Sequence, residues 1–199
     1  MYVIGLTGGI GSGKSTVAGM LEQLGARILS ADLMGHEVYA PGRPAWQEIV
    51  DAFGRDVVAE DGTIDRAKLR NIVFSDPTQL ARLNAITHRR MKEMMGEKLA
   101  QLEREGVGIA ILEAALLFDA GWDDLADEVW VTVAPAEVAA KRAAERSGIP
   151  VEQVLERIQK AQMSDAERRA RSDVVIDTDC PLEETRRQVE NEWGAFKPA

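Results

Sequence analysis

Gly8-Gly9-Ile10-Gly11-Ser12-Gly13-Lys14-Ser15 constrains this chain more than any other stretch. It fits G-x-x-x-x-G-K-[ST], the pattern of a phosphate-binding loop. The flanks agree with it. Tyr2-Val3-Ile4-Gly5-Leu6-Thr7 is an apolar run of the kind buried in a parallel sheet. Residues 16–24 carry apolar side chains at helical spacing, and Gly25 ends them. Strand, glycine loop and helix therefore follow one another in the order the chemistry needs. Glycines let consecutive N–H groups turn inward toward phosphate oxygens, and the helix dipole adds to the anion site. Gly11, Ser12, Gly13, Lys14, Ser15 and Thr16 are the expected nucleotide-binding residues. Lys14 reaches the β and γ phosphates, and the Ser15 hydroxyl is a Mg²⁺ ligand. The loop alone does not separate a kinase from an ATPase or a switch.

The chain has 199 residues, enough for one domain with an ample core and a small inserted subdomain. No apolar run approaches the roughly 20 residues that span a bilayer. The first strand begins directly after Met1, with no basic region before an apolar one, so no export signal is expected. Cys180 is the only cysteine, which excludes an internal disulfide and a cysteine-based metal site. A cytoplasmic location fits. Thirty-three acids against 24 bases give a net charge of −9, the wrong sign for a general nucleic-acid binder. A site for polyanionic phosphates must then come from locally clustered Arg and Lys.

Further strands are expected at Arg27-Ile28-Leu29-Ser30, Gly108-Ile109-Ala110-Ile111-Leu112, Glu128-Val129-Trp130-Val131-Thr132-Val133 and Asp173-Val174-Val175-Ile176-Asp177. Asp32 follows the second, at the strand end that faces the ligand crevice in open parallel sheets. Two readings stand for it: a carboxylate beside the phosphate loop, or the cap of a helix over 33–39. Glu113 ends the third strand and reads either as the Mg²⁺-orienting acid of nucleotide sites or as an acid that caps the following loop. Between these strands the pattern is mostly helical: 45–53, then 65–74 behind an acidic cap, then a long helix opened by Asp76-Pro77. That exceeds the single crossover helix of a βαβ unit and predicts an inserted subdomain, a natural place for a second substrate. On the long helix Arg82, Arg89, Arg90 and Lys92 form either a solvated face or an anion-facing wall. Two basic helices, the first carrying Lys141, Arg142 and Arg146 and the second over 151–170, flank Ser147-Gly148-Ile149-Pro150. They read as a mobile lid over the phosphates or as a charged surface. A closing helix covers 182–193.

The ordered set of motifs resembles the dephospho-coenzyme A kinase family over almost the whole chain. Gly5-Leu6-Thr7 with the loop is its opening phrase. Ala31-Asp32 with His36-Glu37-Val38 resembles its second motif. Asp61-Gly62, Asp65-Arg66, Leu69 and Phe74 fall at its third, and Leu116-Leu117-Phe118-Asp119 resembles its Leu-Leu-Phe-Glu segment. Arg142, Arg146, Gly148, Gln162 and Asp173-Val174-Val175-Ile176-Asp177 match its C-terminal third. The sequence departs from the pattern at four places. Ser30 stands for an aspartate, Arg89 for the proline after His88, Glu113-Ala114-Ala115 for Asp-x-Pro, and Thr178 for asparagine.

The resemblance implies an α/β three-layer P-loop kinase. Its parts would be a five-stranded parallel sheet (core about 1–31, 106–134 and 171–199), a helical coenzyme-A subdomain at about 32–105 and a helical lid at about 135–170. It implies ATP- and Mg²⁺-dependent phosphorylation of the ribose 3′-hydroxyl of dephospho-CoA. Asp32 would accept the proton, and Lys14, Arg142 and Arg146 would hold the transferring phosphoryl. Ser15 and Glu113 would hold the metal, and His88, Arg66 and Leu116 would contact dephospho-CoA. The expected partners are that small molecule alone, with no nucleic acid or membrane, in a monomer or weak homo-oligomer. A shikimate-type or nucleoside monophosphate kinase would use the same loop and lid. A GTPase switch is disfavoured because Asn-Lys-x-Asp is absent.

Overall fold

The computed structural model describes residues 1–35, 37–161 and 163–195. Its centre is a sheet of five parallel strands: β1 (Tyr2–Gly8), β2 (Arg27–Ser30), β3 (Ile109–Glu113), β4 (Glu128–Val133) and β5 (Val174–Asp177). Their order is β2-β3-β1-β4-β5, so the strand that feeds the glycine loop lies in the middle. Parallel strands buried on both faces need apolar side chains at every position. β1 largely meets this demand, with Val3, Ile4 and Leu6 buried and Thr7 the one buried polar side chain among them.

One face is covered by α1 (Lys14–Gln23) and α9 (Leu182–Ala195). Val17, Ala18, Met20 and Leu21 of α1 and Val189 of α9 form one core cluster with Ile4, Leu6, Ile111, Trp130 and Ile176. On the other face the segment after β3 comes close. A Cβ at Gly5 would stand 2.9 Å from a Leu117 methyl, which is why a residue without a side chain sits there. The three layers follow from these two coverings.

The chain divides into two compact units, residues 1–30 with 101–199, and residues 31–100. The second contains α2 (Ala31–Met34), α3 (Pro44–Phe53), α4 (Arg66–Ser75) and most of α5 (Pro77–Arg104). Its core is Ile49, Val50, Val57, Ile64, Leu69 and Val73. Asp65 caps α4, accepting from the N–H groups of Ala67 and Lys68 at 3.0 and 3.1 Å. Within this unit the basic face of α5 is tied down by side-chain pairing. Arg89 and Arg90 both pair with Glu48 of α3, and Arg82 donates to the Ala52 carbonyl at 3.0 Å. Arg90's hydrogen bond in particular holds the Glu48 carboxyl below its usual range. α5 runs on through Arg89, where proline would have broken it.

Two helices differ from expectation. The helix expected at 33–39 is the single turn Ala31–Met34, closed by the Gly35 N–H on the Ala31 carbonyl at 3.1 Å. The stretch 151–170 is α7 (Val151–Ala161) and α8 (Asp165–Arg171), after α6 (Ala136–Ser147). Ser164 starts α8 with a capping box. Its Oγ accepts from the Glu167 N–H at 3.2 Å, and Glu167 Oε2 accepts from the Ser164 N–H at 2.9 Å. These reciprocal bonds satisfy donors that a continuous helix would spend on the preceding turn. Ser164→Ala is expected to lower unfolding stability by about 1 kcal/mol, read from the denaturant midpoint at unchanged slope. An unchanged midpoint would mean the break at α8 is set elsewhere. No helix among the described residues is long and apolar enough to cross a membrane.

Candidate functional site

The glycine loop leaves β1 and enters α1 at Lys14. Gly11 and Gly13 have φ of 74° and 83°, where side chains are strained. Gly11 also lacks room, since a Cβ there would stand 2.0 Å from the Ala139 carbonyl oxygen of α6. The loop closes on itself through the Ser12 N–H to the Gly9 carbonyl at 3.2 Å. The Ser12 hydroxyl is buried beneath, 2.7 Å from Thr132 Oγ1 of β4. The Ser12 side chain therefore supports the loop.

Thr178, just past β5, braces the same turn. Its Oγ1 lies within hydrogen-bond range of the Ser12 carbonyl at 3.0 Å and the Val133 carbonyl at 3.1 Å. Arg142 of α6 donates to that hydroxyl at 3.1 Å and to the Thr178 carbonyl at 2.9 Å. Gly13, Thr16, Arg142, Thr178 and Leu182 line a cavity of about 330 Å³.

Lys14 and Ser15 converge on Glu113. Lys14 Nζ donates to Glu113 Oε1 at 3.3 Å, and Ser15 Oγ donates to the same oxygen at 3.1 Å. Glu113 is the last residue of β3, paired in register with Leu6 of β1 and Ser30 of β2. It is only 8% exposed, and a buried acid needs such partners. No group of three or more His, Cys, Asp or Glu among the described residues could hold a metal ion. Mg²⁺ does not require one, because one or two protein oxygens suffice when phosphates and water complete its octahedron. A serine hydroxyl beside a carboxylate is a donor set of that kind.

The structure thus brings together Lys14, Ser15 and Glu113, and it joins Ser12 to Arg142 through Thr178. Arg146, four residues along α6, is exposed, as is Leu116 after β3. In the second unit, Asp32 is exposed in the first turn of α2, and Arg66 is the exposed first residue of α4. His88 is half-buried on α5. His36 and Gln162, which carried part of the resemblance, lie outside the described residues.

The family described as dephospho-CoA kinase matches residues 2–184. The chain belongs to the dephospho-CoA kinase family. Curated relatives of that name include one from Moorella thermoacetica, 46% identical over 194 residues, covering 97% of this chain and 91% of the relative. Another, from Geobacter sulfurreducens, is 44% identical over 198 residues and covers 100% of both chains. Among solved structures, a Thermus thermophilus protein matches with a TM-score of 0.81 at 33% identity, over 98% of each chain. A dephospho-CoA kinase from Campylobacter jejuni shares the fold at a TM-score of 0.71 and 24% identity, over 96% of this chain and 95% of that one.

Within this dephospho-CoA kinase family member, two residues matter more than the sequence reading allowed. Thr178 stood out there only as a replacement for asparagine, yet its hydroxyl links β4, the loop and α6. Arg168 falls within the second basic stretch, 151–170, yet it is buried in the wall of a cavity beside the loop.

Proposed function

We propose that this protein transfers the terminal phosphoryl group of ATP to the ribose 3′-hydroxyl of dephospho-CoA, giving CoA and ADP. The observation that carries this reading is the convergence of Lys14 and Ser15 on Glu113 beneath a curled glycine loop, in a chain of this family. Before nucleotide arrives, Lys14 is held against Glu113 by an ion pair. On binding, Lys14 turns to the β and γ oxygens, and Ser15 and Glu113 would hold Mg²⁺. The bound ion supplies charge neutralisation at the phosphates. The hydroxyl oxygen bonds to the γ-phosphorus as the bond to the ADP oxygen breaks, and Asp32 takes the hydroxyl proton. Such transfer needs mainly positioning and electrostatic stabilisation.

The adenine ring occupies the cavity beside Gly13 and Thr16, where Leu182 offers an apolar face. Arg66, His88 and Leu116 are the protein's dephospho-CoA contacts. Residues 135–170 form the lid, with Arg146 as its phosphate-facing cation. Its base is the fixed part. Ile10 packs with Ala140, Ala143 and Ala144 of α6 and Val154 of α7, and Arg142 is bound to Thr178. Closure then bends the chain at Gly148-Ile149-Pro150, which joins α6 to α7. The protein works as a cytoplasmic monomer or weak homo-oligomer.

Incubation with ATP, Mg²⁺ and a panel of acceptors, read by mass spectrometry, tests the reading. Dephospho-CoA is expected to gain one phosphoryl group, with shikimate and nucleoside monophosphates unchanged. A different acceptor phosphorylated at higher kcat/KM, with dephospho-CoA inert, overturns it. ATP binding without turnover on any acceptor makes the protein a nucleotide binder.

A further inference from the structure

Arg168, on α8, is 3% exposed, more deeply buried than Glu113. A guanidinium cannot shed its charge, so burial demands partners for its N–H groups. One corner has one: Nη1 donates to Asp165 Oδ1 at 3.1 Å. The other does not, since Nη2 is buried with no hydrogen-bond partner. Buried polar groups are normally satisfied, and an exception points to something that completes it.

The surroundings say what that is. Arg168 lines a cavity of about 60 Å³ together with Gly9, Ile10 and Ser12 of the phosphate loop and Ala139 of α6. A water needs roughly 10–15 Å³ of such space, so this is room for a small polar group. The helix that carries Arg168 is capped at its start and anchored near its end. Its start is held by the Ser164–Glu167 box. Near its end, Arg171 donates to Asp123 at 3.1 Å and stacks over the Phe118 ring at 4.2 Å. Arg168, at the C-terminal end of the lid segment, is therefore a fixed cation beside the loop, whereas Arg146 would move.

We propose that Arg168 is a further substrate-binding residue, whose buried and half-paired guanidinium binds the terminal phosphoryl group of a nucleoside triphosphate at the Gly9–Ser12 turn. The proposal rests on reading the loop as the ATP site. Asp165 fixes one edge of the fork, and the unpaired edge is completed by an oxygen that ADP does not possess. Arg168 thus distinguishes triphosphate from diphosphate, favouring the reactant over the spent product.

The test compares a non-hydrolysable ATP analogue with ADP, both with Mg²⁺, by calorimetry on the full chain. Arg168→Gln and Arg168→Lys are used, with circular dichroism and thermal melts to establish folding. Analogue affinity is expected to fall about 10- to 100-fold in the Gln variant, the worth of one hydrogen bond to a charged group. ADP affinity should change by less than about threefold, within the effect of a change that touches no ADP atom. The Lys variant should lie between wild type and Gln, and it carries the test if Gln does not fold. Equal losses for both nucleotides, or none for either, overturn the proposal and leave Arg168 a structural residue completed by buried water. If wild-type protein binds neither nucleotide, it is the ATP reading that fails.

Discussion

Replacing Lys14 with alanine is expected to lower kcat/KM by about 10²-fold or more, the usual worth of a single preorganised electrostatic stabiliser. In the structure this ammonium sits 3.3 Å from Glu113, with the two side chains 11% and 10% exposed. Breaking a buried ion pair costs about 3–5 kcal/mol when the orphaned charge has no other partner. Glu113 keeps the Ser15 hydroxyl at 3.1 Å, so the stability loss should be smaller than that. The variant should therefore fold, which a thermal melt establishes before kinetics are measured. Loss of activity in a folded protein places Lys14 on the phosphates. Near wild-type turnover would reduce it to a counter-ion for Glu113. Lys14→Arg is a sharper form of the same test. It keeps the charge but replaces a compact ammonium with a planar fork that a curled loop has little room to admit. Activity recovered in that variant would make charge alone sufficient.

The sheet and the loop were legible in the sequence because each is encoded by adjacent residues. A continuous apolar run ending in Gly8, six residues before Lys14, already specifies strand, loop and helix. Strand bounds came out within about one residue, since runs such as Val129-Trp130-Val131 are bounded by a charge on one side and by proline on the other. Glu113 was legible for the same reason, as an acid at the end of an apolar strand. That it pairs with Lys14 and Ser15 depends on β3 lying against β1, which the topology supplies.

What the sequence hid are contacts between distant segments. Arg142 and Thr178 are 36 residues apart, and nothing local in either marks the bond that fixes the base of α6 to the loop. Arg168, Arg169 and Arg171 look equivalent in a basic run, yet only Arg168 is buried. Helical periodicity on both sides of residue 162 concealed the break before α8. The Ser164-x-x-Glu167 box was written in the sequence, but the surrounding charges made it look like more helix surface. On α5, the choice between a solvated face and an anion wall turned on Glu48, which lies some 40 residues away on α3. Arg89 is exposed and Arg90 half-buried, and both are paired with that acid.

Asp32→Asn is expected to lower kcat by about 10²-fold or more while leaving ATP affinity and thermal stability near wild type. A ribose hydroxyl is a weak nucleophile, and a positioned carboxylate can orient it and take its proton as the bond to phosphorus forms. Asp32 follows β2 by two residues and is exposed in the first turn of α2. That position weakens the rival reading as a helix cap. The cap of a helix lies outside its first turn, whereas Asp32 is inside a helix of four residues. Removing its charge should therefore cost little stability. Ser30, at the end of β2, cannot take over, because a hydroxyl is no general base at neutral pH. Glu113 is another acid at the carboxyl ends of the strands, and its bonds to Lys14 and Ser15 favour the proposed metal-holding role instead. The two roles separate by titrating Mg²⁺. Glu113→Gln should raise the Mg²⁺ concentration needed for half-maximal rate. Asp32→Asn should leave that concentration unchanged and lower the plateau. If Asp32→Asn instead melts earlier with kcat intact, Asp32 is structural and the proton goes elsewhere.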